Sequence, residues 1–159
     1  MSSLPSLGPR GEGWVAIQGV ILVGIAVAGV VESPFHGLAL SPVSGAGLVL
    51  LVAGGLLAVL GVRDLGRSLT ALPRPRAGSE LVESGVYRLV RHPIYGGLVI
   101  AALGYGLAMH ALVTAVVGSL VLLAFFRLKS AREEVWLEQR YTGYAAYRAR
   151  TRRMLPFIY

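Results

Sequence analysis

Three long stretches without a single Asp, Glu, Lys or Arg limit what this 159-residue chain can become: Trp14 to Val31, Ser33 to Val62, and His92 to Phe126. A helix crossing a bilayer takes about 20 residues, and in lipid the backbone polar groups must be satisfied within the segment. The first stretch fits one such helix. The second is entered through Ser33-Pro34 and Ser41-Pro42, so its helix is predicted to begin near Ser44. The third covers 35 residues, too many for one crossing, and predicts a tight hairpin turned near His110. The reading is an all-α polytopic membrane protein with four spans, 14–31, 44–63, 94–109 and 112–127, the last two paired as a helical hairpin.

The charges agree with that count. With four spans, one side of the membrane holds residues 1–13, 64–93 and everything after Phe126. All fifteen Lys and Arg fall there or, like Arg63, at its boundary. The other side holds the 32–43 loop, with Glu32 and His36, and the turn at His110, and has no Lys or Arg. By the positive-inside rule both termini are cytoplasmic, and the short chain suggests a prokaryotic plasma membrane. The net charge of +7 is then topology and contact with anionic headgroups, so membrane lipids rather than nucleic acid are the expected neighbours. The absence of cysteine excludes disulfides, thiolate catalysis and Cys-based metal sites, and no metal is expected. Ala26-Val27-Ala28 behind Arg10 has the look of a signal-peptide cleavage site, but the apolar run is long for one. Residues 1–159 are expected to form one membrane-embedded domain: two N-terminal helices (1–63), a cytoplasmic connection (64–93), the hairpin (94–127) and a cytoplasmic tail (128–159).

Two polar segments exceed what a structural membrane protein needs. In the first, Pro73 and Pro75 hold an extended stretch and Ser84-Gly85 signals a turn; Pro-Arg-Pro-Arg by itself reads as a basic linker. In the second, Leu128, Ala131, Val135 and Leu137 recur at helical spacing, with Glu133, Glu134 and Glu138 among Arg127, Arg132 and Arg140. That pattern predicts either a continuation of the fourth helix or a cytoplasmic amphipathic helix on the membrane surface. Tyr141, Tyr144 and Tyr147, three apart, would in isolation be an interfacial aromatic belt. At the head of the third span, Pro93 suits the first helical position, which leaves His92 near the N-cap. Free amides and the positive dipole end favour an anion there. Arg91 adds a fork matched to carboxylate or phosphate, and Gly96-Gly97 permit close approach to the backbone. Residues 85–97, "GVYRLVRHPIYGG", therefore read as an anion cradle at the membrane surface.

Three blocks, "LGRSL" (65–69), "ELVESGVYRLVRHPIYGG" (80–97) and "EEVWLEQRYTGYAAYRARTRRMLP" (133–156), together resemble the isoprenylcysteine carboxyl methyltransferase family. These are integral-membrane, S-adenosylmethionine-dependent enzymes related to the phospholipid methyltransferases. The resemblance covers about 95 residues and rests on Arg-His-Pro-x-Tyr followed about forty residues later by the double Glu. It implies that S-adenosylmethionine is the cofactor, held at the cytoplasmic ends of the last two spans beneath the C-terminal segment. It further implies cofactor contacts from Arg91, His92, Tyr95, Gly96, Glu133, Glu134, Tyr144 and Tyr147, and catalytic roles for Arg91, Glu134 and Arg153. Thr142 stands where the family usually has glycine, with Gly143 displaced by one, and Gly54-Gly55 only loosely echo a glycine pattern of the phospholipid enzymes. The N-terminal helices match nothing diagnostic.

The expected reaction is methyl transfer to a lipophilic small-molecule or prenylated acceptor, an isoprenylcysteine-type carboxylate by resemblance. Such an acceptor can enter from the bilayer and present its head to the cradle. A carboxylate or thiolate needs no general base at neutral pH, whereas an amine or hydroxyl would. Two other classes compete: an NADPH-dependent sterol-type membrane reductase, which shares an "RHP"-like stretch, and a small membrane scaffold with no cofactor.

Overall fold

The structure, a computed structural model, describes residues 5–33, 41–75 and 78–155; Pro34, His36 and Pro156 lie outside them. Five α-helices carry the fold: α1 (Glu12–Glu32), α2 (Pro42–Leu65), α3 (Pro93–Ala108), α4 (Ser119–Arg140) and α5 (Tyr144–Arg150). A π-helical turn, Thr114–Gly118, leads straight into α4. No extended sheet forms among the described residues; one isolated bridge joins Val90 and Arg152. Three segments are long and apolar enough to cross a membrane: Glu12–Glu32, Pro42–Ser68 and Thr114–Arg140. Helix α3 is apolar but has only 16 residues. Val20, Val23 and Val31 on α1, and Val49 and Val59 on α2, project outward from the protein, the pattern of a lipid-facing surface. The chain is an integral membrane protein.

Helix α2 begins at Pro42, two residues before the predicted start, because Ser41 caps it. Ser41 Oγ accepts the Ser44 amide at 3.1 Å and Ser44 Oγ accepts the Ser41 amide at 2.9 Å, a reciprocal capping box with proline at the first helical position. The hairpin turn falls at His110, which takes φ 57°, and the Ala111 amide donates back to the Gly106 carbonyl at 2.8 Å. The helix that follows is held by Glu32 at the end of α1. Its carboxylate accepts the amides of Val113 and Thr114 at 2.8 Å each and the Thr114 hydroxyl at 2.7 Å. A carboxylate at a helix N-terminus satisfies orphan donors and complements the dipole.

Of the two readings of the tail, the structure has the continuation: the fourth helix runs unbroken past residue 127 to Arg140, and the short α5 follows it after a turn. Its buried face is polar at this level. Leu128 is half exposed, while Lys129, Ser130 and Glu134 are 2%, 0% and 4% exposed. Polar side chains point inward here because the protein interior at this level is a polar site, and the leucine turns outward.

Helices α2 and α3 run antiparallel with their backbones almost touching. Gly47, Gly54 and Gly61 form a buried stripe along α2, and Gly97 and Gly104 face it from α3. A Cβ on Gly54 would lie 2.5 Å from both the Ala101 nitrogen and the Gly97 oxygen, and one on Gly104 would strike the Leu51 nitrogen and the Gly47 oxygen. Small residues at such a seam let helices gain dispersion contacts that lipid does not supply.

Candidate functional site

The site is assembled where the head of α3, the far end of α4 and the C-terminal segment meet. Residues 151–154 lie alongside 89–92: the Arg91 and His92 amides donate to the Arg152 and Arg153 carbonyls at 2.9 and 2.8 Å, and the Arg152 amide donates to the Leu89 carbonyl at 3.1 Å. Met154 is fully buried, with its carbonyl packed on Gly96 so closely that any Cβ there would collide with it. The chain's own tail, then, occupies the space that this glycine opens. Gly97 performs the same service for α2, through Gly54 and Ala58.

Glu134 is the electrostatic hub. It accepts from Arg91 Nε at 2.9 Å and from Arg153 at 3.1 Å, and its Oε1 lies 3.2 Å from His92 Nε2. The side chains of Arg91, His92 and Glu134 are 8%, 4% and 5% exposed, a degree of burial that charged groups adopt only when paired. Arg91 also donates to the carbonyls of Thr151 and Arg148. Its fork is thus largely spent on ordering the C-terminal segment, and the cradle at the head of α3 is closed by protein groups. His92 is the N-cap residue of α3, with proline following, but its ring makes no cap hydrogen bond.

Glu133 has a different environment. Its carboxylate accepts the Tyr95 hydroxyl at 2.8 Å and lies 3.8 Å from His92 Nδ1, and it faces a cavity of about 300 Å³, within the range of small-molecule sites. Arg91, His92, Tyr95, Tyr144 and Tyr147 line the same cavity, whereas Gly96, Glu134 and Arg153 stand behind its wall. The Tyr95 ring is stacked between His92 (centroids 5.3 Å apart, planes at 4°) and Phe126 (4.5 Å, 5°).

The tyrosine stripe points inward, not into headgroups. Tyr144 and Tyr147 are 1% and 2% exposed, packed edge to face at 5.8 Å. Burial pushes the phenols of Tyr87, Tyr144 and Tyr147 well above their ordinary range, so all three are neutral donors at physiological pH. Tyr147 Oη donates to the Tyr87 carbonyl at 2.8 Å. Tyr147→Phe strands that buried carbonyl and is expected to cost about 1–2 kcal/mol, measured as a lowered thermal midpoint in detergent. Tyr144 Oη is buried and has no hydrogen-bond partner among the described residues. Gly143 has φ −83° and nothing within 4 Å of where a Cβ would be, so the displaced glycine carries no conformational demand.

Several lining residues have no signal in the sequence. Thr70, Pro73, Pro75 and Leu81 from the connecting segment form one wall, which makes the basic linker part of the site. It is clipped to the N-terminus, where the Arg74 amide donates to the Arg10 carbonyl at 3.3 Å, and to the tail, where Ser79 and Tyr141 share a 2.7 Å hydrogen bond. Lys129 and Gln18 line the same cavity. The proline wall could have been suspected from its proximity in sequence to the Arg-His-Pro block; Gln18, in a span without motif, could not.

Comparison with known proteins converges on one family. The profile of the phospholipid methyltransferase family, PEMT, matches residues 43–143, from the start of α2 to the turn after α4. A protein of Oryza sativa subsp. japonica named Probable protein-S-isoprenylcysteine O-methyltransferase is 36% identical over 119 residues, 73% of this chain and 62% of its own length. Protein-S-isoprenylcysteine O-methyltransferase B of Arabidopsis thaliana is 30% identical over 119 residues, 73% of this chain and 60% of its own. Protein-S-isoprenylcysteine O-methyltransferase of Schizosaccharomyces pombe is 37% identical over 79 residues, 49% of this chain and 34% of its own. The chain thus spans about 60% of the length of the plant relatives it matches. The matched stretch takes in the glycine seam, the connecting wall, the Arg-His-Pro head of α3 and both glutamates, and on that extent the chain belongs to the phospholipid methyltransferase family.

Proposed function

We propose that this chain is an integral-membrane, S-adenosylmethionine-dependent methyltransferase acting on a lipophilic acceptor, an isoprenylcysteine-type carboxylate. The observation that carries the reading is the convergence of Arg91, His92, Tyr95, Glu133, Tyr144 and Tyr147, from three separate stretches of sequence, on one cavity. The donor set fits the cofactor. Glu133 offers a carboxylate for a positive amino group or ribose hydroxyls, Tyr144 an orphaned buried hydroxyl, and the tyrosine faces suit a sulfonium. When bound, S-adenosylmethionine supplies a methyl group already activated on sulfur.

The chain's residues then position and exclude rather than exchange protons. The Glu134 hub clamps residues 151–154 against the head of α3 and shuts that end to water. Arg91, Glu134 and Arg153 order the site through one another, with Arg91 also on the cavity wall. Gly96 admits the Met154 carbonyl that completes the closure. A carboxylate acceptor is already ionised at neutral pH and asks for no general base. We place the site at the cytoplasmic face, with α3 as a fourth, short span, both termini on that side, and the whole chain working as one membrane-embedded unit.

Titration of the purified protein with S-adenosylmethionine and, separately, with NADPH tests the reading. Saturable binding of the first alone is the expected result; binding of NADPH alone would establish a reductase, and binding of neither a scaffold. Tyr144→Phe is expected to weaken S-adenosylmethionine binding about tenfold, the worth of one buried hydrogen bond. The same change leaves the thermal midpoint of the ligand-free protein equal or higher, because it removes an unsatisfied polar group.

A further inference from the structure

Lys129 is the one lysine among fifteen basic residues, and the mechanism above makes no use of it. It is 2% exposed, sits on α4 one turn before Glu133, and lines the cavity. Its Nζ donates to Gln18 Oε1 at 2.5 Å and lies 5.0 Å from the centre of the Tyr95 ring. Glu133, four residues on, turns its carboxylate to Tyr95 and His92 instead. Among the described residues no carboxylate pairs with Lys129 within 4.0 Å. An ammonium has three donors, and Gln18 takes one. Val15 and Ile94 are among the apolar residues that line the same cavity. A buried cation with no ion-pair contact among the described residues is costly unless an anion completes it, and ionisable groups within membrane helices mark ligand sites.

We propose that Lys129, oriented by Gln18, is the anchor for the acceptor's carboxylate and makes this chain selective for lipophilic acids over neutral or cationic lipids. The assignment rests on the methyltransferase reading for what happens next, but not for the binding itself. Lysine suits the task better than the surrounding arginines, being a compact charge that one glutamine can orient. Close to an apolar wall, it seats an acid head while the lipid tail stays in the bilayer. The methyl ester of the same acid carries no charge for Lys129 to hold, so the site releases a methylated product. Lys129 is an acceptor-binding residue, and Gln18 positions it: the lysine's charge favours the ionised acceptor and thereby governs affinity.

The test uses the full chain in phosphatidylcholine nanodiscs, without cofactor, titrated with N-acetyl-S-farnesylcysteine and with its methyl ester. Wild-type protein is expected to bind the acid at least about tenfold more tightly than the ester, the worth of a charge-assisted hydrogen bond. Lys129→Met is expected to bind both alike, through loss of affinity for the acid, with Lys129→Gln as the second variant should the first not fold. Equal binding of acid and ester by the wild type, or a preference retained in the variants, overturns the assignment. Competition by phosphatidylglycerol nanodiscs would overturn it too, by making Lys129 a headgroup site. S-Adenosylhomocysteine release, measured in parallel on the wild type, separates the two ideas. Release without acid preference removes Lys129 and keeps the methyltransferase; acid preference without release does the reverse.

Discussion

Glu134→Ala is expected to lower stability by about 3–5 kcal/mol, the cost of leaving a buried charge without its partner. Three positive or polar groups, Arg91, His92 and Arg153, converge on this one carboxylate. Its removal strands the Arg91 guanidinium, whose remaining acceptors are the Thr151 and Arg148 carbonyls and, at 3.4 Å, the Thr151 hydroxyl. The damage falls on residues 151–154, which are held against α3 by three backbone hydrogen bonds and by that guanidinium. Two measurements report it: the thermal midpoint in detergent, and protease cleavage after Arg148, Arg150, Arg152 or Arg153, which rises if the segment releases. Glu134→Gln keeps the shape and one acceptor but not the charge, and is expected to fall between. If Glu134→Ala melts with the wild type, the hub is not a stabilising element. Glu133→Ala provides the contrast. Its carboxylate lies beside the cavity with Tyr95 as its one strong partner, so cofactor affinity falls while the tail stays protected.

The contrast between the two glutamates shows what could be read in advance. Long uncharged stretches locate the first three apolar helices to within two residues, because lipid leaves the backbone no alternative to a helix; the fourth overruns its expected end at residue 127 and continues to Arg140. Proline after His92 and the turn at His110 are equally local and equally legible. The double Glu marks the site, but its two members are chemically identical in sequence. Only the packing makes Glu134 a buried hub and Glu133 a cavity wall. The tail is legible as a helix but not in its orientation, for a physical reason. Apolar spacing shows Leu128, Ala131, Val135 and Leu137 recurring at helical period, which does not say which face packs inward. At a polar site inside a membrane protein, Lys129, Ser130 and Glu134 are buried while Leu128 is half exposed. Glu32 and Gln18 are illegible for another reason: each acts over about 80 or more residues of separation, on Thr114 and Lys129 respectively, and no local pattern announces such a partner.

The adjacent glycines of α2 offer the second large effect, with its control built in. Gly54 faces α3 and Gly55 faces away: a Cβ at the first would meet the Ala101 nitrogen and the Gly97 oxygen at 2.5 Å, and one at the second meets nothing within 4 Å. Gly54→Leu must push the two backbones apart along a seam that also includes Gly47, Gly61, Gly97 and Gly104, so the loss spreads beyond one contact. Overpacking typically costs about 1–3 kcal/mol and more where nothing can yield; with backbone on both sides, about 3 kcal/mol or more is expected. Gly55→Leu points into lipid and gains helix propensity, about 0.5–1 kcal/mol in the other direction. The two variants have the same composition, length and hydropathy, so a difference between their thermal midpoints reports only which face the leucine occupies. Equal midpoints would mean that α2 and α3 are not in backbone contact. A separated seam would also displace the head of α3, since Gly61 packs on Pro93 and Ile94. Gly54→Leu is therefore expected to lose cofactor binding although the substitution lies well outside the cavity lining. That coupling follows from the architecture: α3 carries the Arg-His-Pro site at one end and the glycine seam along its length, so the fit of two helices in lipid sets the geometry of the site.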